Sequence, residues 1–261
     1  MENKTQEKHK VQFPSEEVTL PSLGLLYPKD SPLSEGVIQM KYMTAREEDI
    51  LTNQNLIKKG TVIDKLLQSL IVDDIDYNQL LIGDKNALLV AARILGYGSD
   101  YSLKMAHPES GEEEVITVEL TEAKDIVLDE KIVVEGKNNF DFTLPSAKLP
   151  ITFKLLTHGD ERAIEQETKG LKKISKIAHT QMSTRWKHII TSINGDTDRK
   201  TIREFVDNQL LARDSRALKQ EIRKITPDID LKYSVEFEDG YIQDDVEIPI
   251  TIQFFWPDAG I

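Results

Sequence analysis

Four residues at the tips of two short hairpins stand where a zinc ribbon places its thiolates. The first hairpin runs Leu103-Lys104-Met105-Ala106-His107-Pro108-Glu109-Ser110-Gly111 and returns through Val115-Ile116-Thr117-Val118. The second runs Leu231-Lys232-Tyr233-Ser234-Val235-Glu236-Phe237-Glu238-Asp239-Gly240 and returns through residues 246–252. A ribbon would read C-x-x-C-G in both turns, since tetrahedral zinc takes thiolate and imidazole donors. Here the first turn offers His107 and Ser110, and the second Glu236 and Asp239. One imidazole, two carboxylates and a hydroxyl make a poor zinc set. Pro, Gly and acidic residues are also what tight turns require. The expectation is turn chemistry without metal, with the two tips close together and held by packing.

Other spacings that could do chemistry fail at particular positions. Asp74-Ile75-Asp76-Tyr77-Asn78 imitates the start of a calcium loop, but Gln79 and Lys85 occupy the places of the invariant Gly and the bidentate Glu. Asn194-Gly195-Asp196-Thr197-Asp198 fails in the same way, with Arg199 and Phe205. No phosphate-binding G-x-x-x-x-G-K-[ST] occurs, and Gly96-Tyr97-Gly98 is no dinucleotide fingerprint. With no cysteine, five histidines and no G-x-S-x-G elbow, nucleophilic catalysis has no local support. His158 falls at a helix entrance, and His179 and His188 fall inside helices. The expectation is a non-enzyme with no cofactor, no metal and no small-molecule substrate.

Composition sets the frame. The chain has 261 residues, 39% of them hydrophobic and 30% charged, which is enough to bury one large core or two modest ones. No apolar run approaches the ~20 residues needed to cross a bilayer, and the first ten residues do not read as a secretory signal. A cytoplasmic protein without disulfides is expected. The net charge of −12 opposes general binding to nucleic acid. Residues 157–224, however, hold 15 Lys and Arg against 10 Asp and Glu, leaving 18 against 35 for the remainder. These basic helices, with Trp186, are read first as packing beside acidic surfaces, next as a face for an acidic partner, and last as a nucleic-acid module.

The elements that position these residues repeat. Residues 1–35 read as a flexible arm followed by an extended segment, Leu20-Pro21-Ser22-Leu23-Gly24-Leu25-Leu26-Tyr27-Pro28. That segment is too rich in Pro and Gly for a helix and lies along a surface, its own fold's or a partner's. Leu23, Leu25 and Tyr27 are its candidate contacts. A strand at residues 37–43 runs into Thr44, which with Glu47 makes a capping box. Helices follow from Thr61 and from Asp84 to Leu95, with Gly96 ending the latter, and then the first hairpin. The pattern then returns. Leu144-Pro145-Ser146 echoes Leu20-Pro21-Ser22, and Thr157 with Asp160 repeats Thr44 with Glu47. Helices are expected at residues 161–177, 180–194, after Asp198 and after Asp214, followed by the second hairpin. The fold class is α+β, mainly helical: two related strand–helices–hairpin modules, 36–130 and 131–261, whose hairpins form a cysteine-less, zinc-ribbon-like element. The end of the second module, with Phe254, Phe255 and Trp256, reads as a strand. Side chains alternate along a strand, so one face of these aromatics fills the core or meets a neighbouring subunit.

Several runs together resemble a known family. They are Met43-Thr44-Ala45-Arg46-Glu47-Glu48-Asp49-Ile50-Leu51-Thr52, Lys58-Lys59-Gly60-Thr61-Val62-Ile63-Asp64-Lys65-Leu66-Leu67 and Gly83-Asp84-Lys85-Asn86-Ala87-Leu88-Leu89. Asn194-Gly195-Asp196, Ala212-Arg213-Asp214-Ser215-Arg216-Ala217-Leu218 and Phe254-Phe255-Trp256-Pro257 complete them. Over residues 20–258 the chain is similar to the baseplate hub and hub-assembly proteins of T-even-like phages with contractile tails. Members of that family carry paired C-x-x-C turns at the hairpin positions, and this chain departs at all four places. The resemblance implies a non-enzymatic part of hub assembly, made in the host cytoplasm and binding hub and tail proteins, with Arg213 and Arg216 among the candidate contacts. It is either a structural subunit kept in the virion or a chaperone that leaves.

Overall fold

A computed structural model describes residues 14–174 and 181–256. The first thirteen residues of the expected arm, His179 and the expected helix start at Thr180 lie outside these residues, and the end of the expected arm is part of a strand, Ser15–Thr19. Within them the chain is α+β, with eight α-helices and eleven strands in small antiparallel sheets.

In the first half, β1 (Ser15–Thr19) pairs with β2 (Val37–Lys41), setting Val18 opposite Ile38. The loop between them turns at Gly24, with φ 76°, where a Cβ would come within 2.3 Å of the Ser34 carbonyl oxygen. Helix α1 (Ala45–Thr52) opens at the Thr44–Glu47 capping box, and Asn53 caps α2 (Gln54–Lys59). Helix α3 (Val62–Leu70) buries Val62, Leu66, Leu67 and Leu70 on one face, each contributing about 1.5–3 kcal/mol, and packs on α1 and on α4 (Ile82–Tyr97). Strands β3 (Asp100–Ala106) and β4 (Glu113–Glu119) form the first hairpin.

The second half adds β5 (Lys124–Ile126), then β6 (Phe140–Thr143) and β7 (Pro150–Phe153). Helices α5 (His158–Ile174) and α6 (Gln181–Ile189) follow, and β8 (Ile190–Ile193) completes a β6-β7-β8 sheet. Asp198 caps α7 (Arg199–Asn208), accepting from the Thr201 N–H at 3.2 Å. Helix α8 (Ala212–Ile225) leads to β9 (Asp228–Asp230), which pairs with β5. The second hairpin is β10 (Lys232–Glu236) with β11 (Ile242–Glu247). One cluster of buried apolar side chains runs through both halves, from Leu20 to Phe255.

The structure corrects four expected elements. Gly96 does not end α4; it stays inside the helix because Met43 crosses there, with its Cε 2.8 Å from where a Cβ would be. The tail of the helix expected over 180–194 is instead strand β8, where β-branched residues pair with the open edge of β7. The second hairpin returns earlier than expected, at Ile242. The aromatic end is a 3-10 turn, Ile252–Phe255, rather than a strand. Backbone rotation in that turn releases adjacent side chains from alternation, so Phe254 and Phe255 both point inward.

Candidate functional site

The two hairpin tips meet at His107, which is 4% exposed. Its Nδ1 accepts the backbone N–H groups of Glu109 and Ser110, each at 3.2 Å, so the ring proton belongs on Nε2. That Nε2 lies 3.4 Å from Asp239 Oδ2, an approach without hydrogen-bond geometry. The ring packs edge-on against Phe237 and Tyr241 of the other hairpin, at centroid distances of 4.7 and 5.1 Å. The Glu238 N–H also donates to Glu114 Oε2 across the gap, at 2.8 Å.

Both turns close with the same ladder. The His107 N–H donates to the Glu112 carbonyl and the Gly111 N–H to the His107 carbonyl; Phe237 with Tyr241 and Gly240 does the same. Phe237, not Glu236, therefore occupies the place of His107. Strand alternation sends Glu236 outward to solvent, and Ser110 is exposed too. Among the described residues, no group of three or more His, Cys, Asp or Glu side chains could hold a metal ion.

A second feature is spread along the chain as matched constellations. In the first half, Glu47 Oε2 accepts from the Thr44 N–H at 3.0 Å and the Thr44 hydroxyl at 2.6 Å, while Oε1 holds Lys41 Nζ at 2.9 Å. Burial pushes the Glu47 carboxyl up, but the bonds from Thr44 and Lys41 together hold it below the ordinary range. In the second half Asp160 takes Glu47's place: Thr157 donates to Oδ2 through its N–H and hydroxyl, each at 3.1 Å, and Lys154 Nζ meets Oδ1 at 2.7 Å.

A buried aspartate in the first turn of α4 and of α8 clasps the Leu-Pro-Ser loop of its own half. Asp84 accepts from the Ser22 N–H at 2.9 Å, the Ser22 hydroxyl at 2.7 Å and Tyr27 Oη at 2.5 Å. Asp214 accepts from the Ser146 and Ala147 N–H groups at 2.7 and 3.0 Å. Burial raises the Asp84 carboxyl above its ordinary range despite the opposing bonds from Tyr27 and Ser22. Tyr27 is driven far above the usual phenol value by burial and then by the Asp84 charge.

The halves join where the segment before α4 meets the segment entering α5. Leu81 bridges Thr157, the His158 N–H donates to the Leu80 carbonyl at 2.8 Å, and the Ile82 N–H donates to the Leu156 carbonyl at 3.2 Å. Gly159 lets these backbones close, and Gly83 admits the segment that follows α8. A Cβ on Gly159 would sit 3.0 Å from the Asn78 carbonyl oxygen, and one on Gly83 only 1.8 Å from that of Pro227.

The candidate contact residues divide. Leu23 is 37% exposed, with φ 52°, and Leu25 is half-buried. Tyr27, a candidate partner contact, is inside the chain's own core and bonded to Asp84, which fits packing on its own fold and not on a partner. Phe254 and Phe255 are fully buried, which fits the core alternative for them and not a subunit contact. Their turn is anchored by Arg93, whose Nε donates to the Phe254 carbonyl at 3.0 Å. Trp256 is half-buried. Arg213 and Arg216 on α8 are exposed and have no ion pair among the described residues.

A signal for the clasps was present in the chain and missed. Asn78-Gln79-Leu80-Leu81 recurs as Asn208-Gln209-Leu210-Leu211, each followed at the same spacing by Asp, Ala and Leu: Asp84, Ala87 and Leu88, then Asp214, Ala217 and Leu218. A family model described as T4 bacteriophage base plate protein matches residues 18–256. No curated protein and no solved structure matches the chain.

Proposed function

The chain belongs to the T4 bacteriophage base plate protein family, a family of structural phage proteins, and from that premise we propose that it is a non-enzymatic subunit of the tail baseplate hub. In this reading it is an internal duplicate, made in the host cytoplasm and retained in the particle, that docks hub and tail proteins through the free ends of its repeat. One observation carries the proposal. Leu81, in the closed junction between the halves, is 3% exposed, whereas its counterpart Leu211 is 51% exposed.

The partner of the junction is duplicated too. Thr44, Ala45 and Arg46 are exposed, whereas His158 at the matching place is buried. Among the described residues, no hydrogen bond uses the Leu210 carbonyl or the Ala212 N–H. An exposed leucine beside unpaired backbone groups is a surface suited to cover by another chain. The free face before α1 carries Arg46 where the closed junction has Gly159, whose Cβ position lies 3.0 Å from the Asn78 carbonyl oxygen. A second copy closing in the same way would clash there, so the fitting partner is a different baseplate protein. Trp186 is buried and offers no ring for base stacking, which leaves the basic helices without the aromatic partner a nucleic-acid module would use.

The test is mass spectrometry of purified virions from phage carrying the native chain or Leu211→Glu. The expected result is the native chain in washed particles and a marked loss of the variant, whose isolated form keeps its melting temperature. Clean particles lacking the native chain would overturn retention and favour a dissociating assembly chaperone.

A further inference from the structure

We infer that the free Leu210-Leu211-Ala212 segment docks one kind of structure on another baseplate protein: the capped entrance of a helix, with glycine as the second helical residue and an acid in the first turn. The inference deepens the proposed function and rests on its reading of the free ends of the repeat.

The first half shows how such a segment is covered. Leu80-Leu81-Ile82 leads into Asp84, Ala87 and Leu88 as Leu210-Leu211-Ala212 leads into Asp214, Ala217 and Leu218. Its cover is Leu156-Thr157-His158, an extended triplet that runs into α5. The ends of the two triplets bond to each other: the His158 N–H donates to the Leu80 carbonyl, and the Ile82 N–H donates to the Leu156 carbonyl. Thr157 lies opposite Leu81, and its box with Asp160 fixes where the triplet stops and the helix begins. In the second half the matching groups, the Leu210 carbonyl and the Ala212 N–H, have no hydrogen bond among the described residues. An occupant must therefore bring a donor and an acceptor two residues apart on an extended backbone, and cover for a leucine that is 51% exposed. An extended protein segment supplies all three.

Steric fit sets the glycine. Gly159 is the second residue of α5, and a Cβ there would lie 3.0 Å from the Asn78 carbonyl oxygen and 3.2 Å from Asn78 Cβ. Asn208 stands at the place of Asn78, so a helix seated in the same way needs a residue without Cβ at its second position. A second copy of the chain does not offer one. Its α1 entrance brings Arg46 to that position, and its α5 entrance is already engaged within its own junction.

Charge sets the acid. At the closed junction Gly83 and Glu161 line one cavity of about 160 Å³, and Arg185 holds Glu161 at 2.8 Å. The counterpart of Gly83 in the second half is Arg213. Arg213, and Arg216 one turn on, are exposed and have no ion pair among the described residues. An acid at the place of Glu161 would face a free guanidinium, whose planar fork suits a carboxylate.

The experiment puts a photo-crosslinking benzoylphenylalanine in place of Leu211 in the full-length chain, irradiates infected cells and sequences the cross-linked peptide by mass spectrometry. Leu211 is exposed, so the probe leaves the fold intact. The expected product joins the chain to one other baseplate protein. The joined segment should carry Thr, Ser, Asp or Asn as its cap, Gly two residues later, and Asp or Glu directly after that Gly or one residue further. Arg213→Glu should lower the yield about threefold or more, and exchanging the partner's acid for Lys should restore it. Cross-links confined to a second copy, to nucleic acid or to a segment without that glycine would overturn the inference, as would no cross-link at all. The cross-link forms whether the chain stays in the particle or leaves it. A cross-link from a chain missing from virions therefore overturns only retention, and its absence from a chain found in virions overturns only the docking mode.

Discussion

Removing the Asp84 carboxylate strands more buried donors than removing its counterpart Asp214, so the two substitutions should differ in a fixed order. Asp84→Ala leaves the Ser22 N–H, the Ser22 hydroxyl and Tyr27 Oη without an acceptor in a fully buried site. Each orphaned donor costs about 1–3 kcal/mol. Part of that is offset, because the substitution also removes a buried charge whose desolvation is evident from its raised carboxyl. The net expectation is a loss of about 3–5 kcal/mol. Asp214→Ala frees only the Ser146 and Ala147 N–H groups, and water can reach them because Ser146 is exposed and Ala147 half-buried, for a smaller loss of about 1–2 kcal/mol. For a chain of this size each kcal/mol moves the melting temperature by about 2–4 °C, so Asp84→Ala should melt on the order of 10 °C below the native chain. Circular dichroism melts measure the order of the pair. Hydrogen exchange locates it, since Ser22 should lose protection in one variant and Ser146 in the other. Asp84→Ala melting within about 2 °C of the native chain, or Asp214→Ala costing more than Asp84→Ala, would refute the reasoning.

Two further outcomes test the junction between the halves. Burial, and after it the Lys85 charge, lowers the His158 pKa from its ordinary 6.5, with Asp64 opposing. The unfolded chain therefore takes up the proton first: the stability from neutral His158 is complete above about pH 6.5 and is lost as the pH falls through that value. His158→Gln should flatten the acid limb of the stability curve in urea melts from pH 7.5 to 5, and an unchanged slope would count against it. Gly83→Ala would place a Cβ 1.8 Å from the Pro227 carbonyl oxygen. The forced shift should cost more than the ~1–3 kcal/mol usual for overpacking, seen as a lower melting temperature and as faster proteolysis between α8 and β9, whereas Gly98→Ala, at an open position, should spare β9.

Much of the framework was legible because it rests on short-range chemistry. A Thr three residues before an acid is a local helix-start signal, and the boxes at Thr44 and Thr157 both form in the structure. The apolar spacing of Val62, Leu66, Leu67 and Leu70 makes one buried face whatever lies opposite. The hairpin tips were legible as turns that should lie close together, and only the structure shows that they meet at His107. Glu236 was matched to the place of His107, which Phe237 occupies, because turn composition fits either register and only the pairing of β10 with β11 decides which side chain faces in. The aromatic end misled for a related reason: strand alternation assumes a strand, and Arg93, far away in the chain, holds that backbone in a 3-10 turn instead.

What the residues alone made legible is the class of the chain and its echoes: an α+β chain without cysteine, with its boxes and hairpins written twice. What only the tertiary structure decided is how the two halves differ. The same Asn-Gln-Leu-Leu segment is sealed in one half and open in the other, since Gly159 admits a close backbone contact with Asn78 where Arg46 stands at the matching place. Local propensity is blind to that distinction, because it depends on which distant segment arrives and how near it can come.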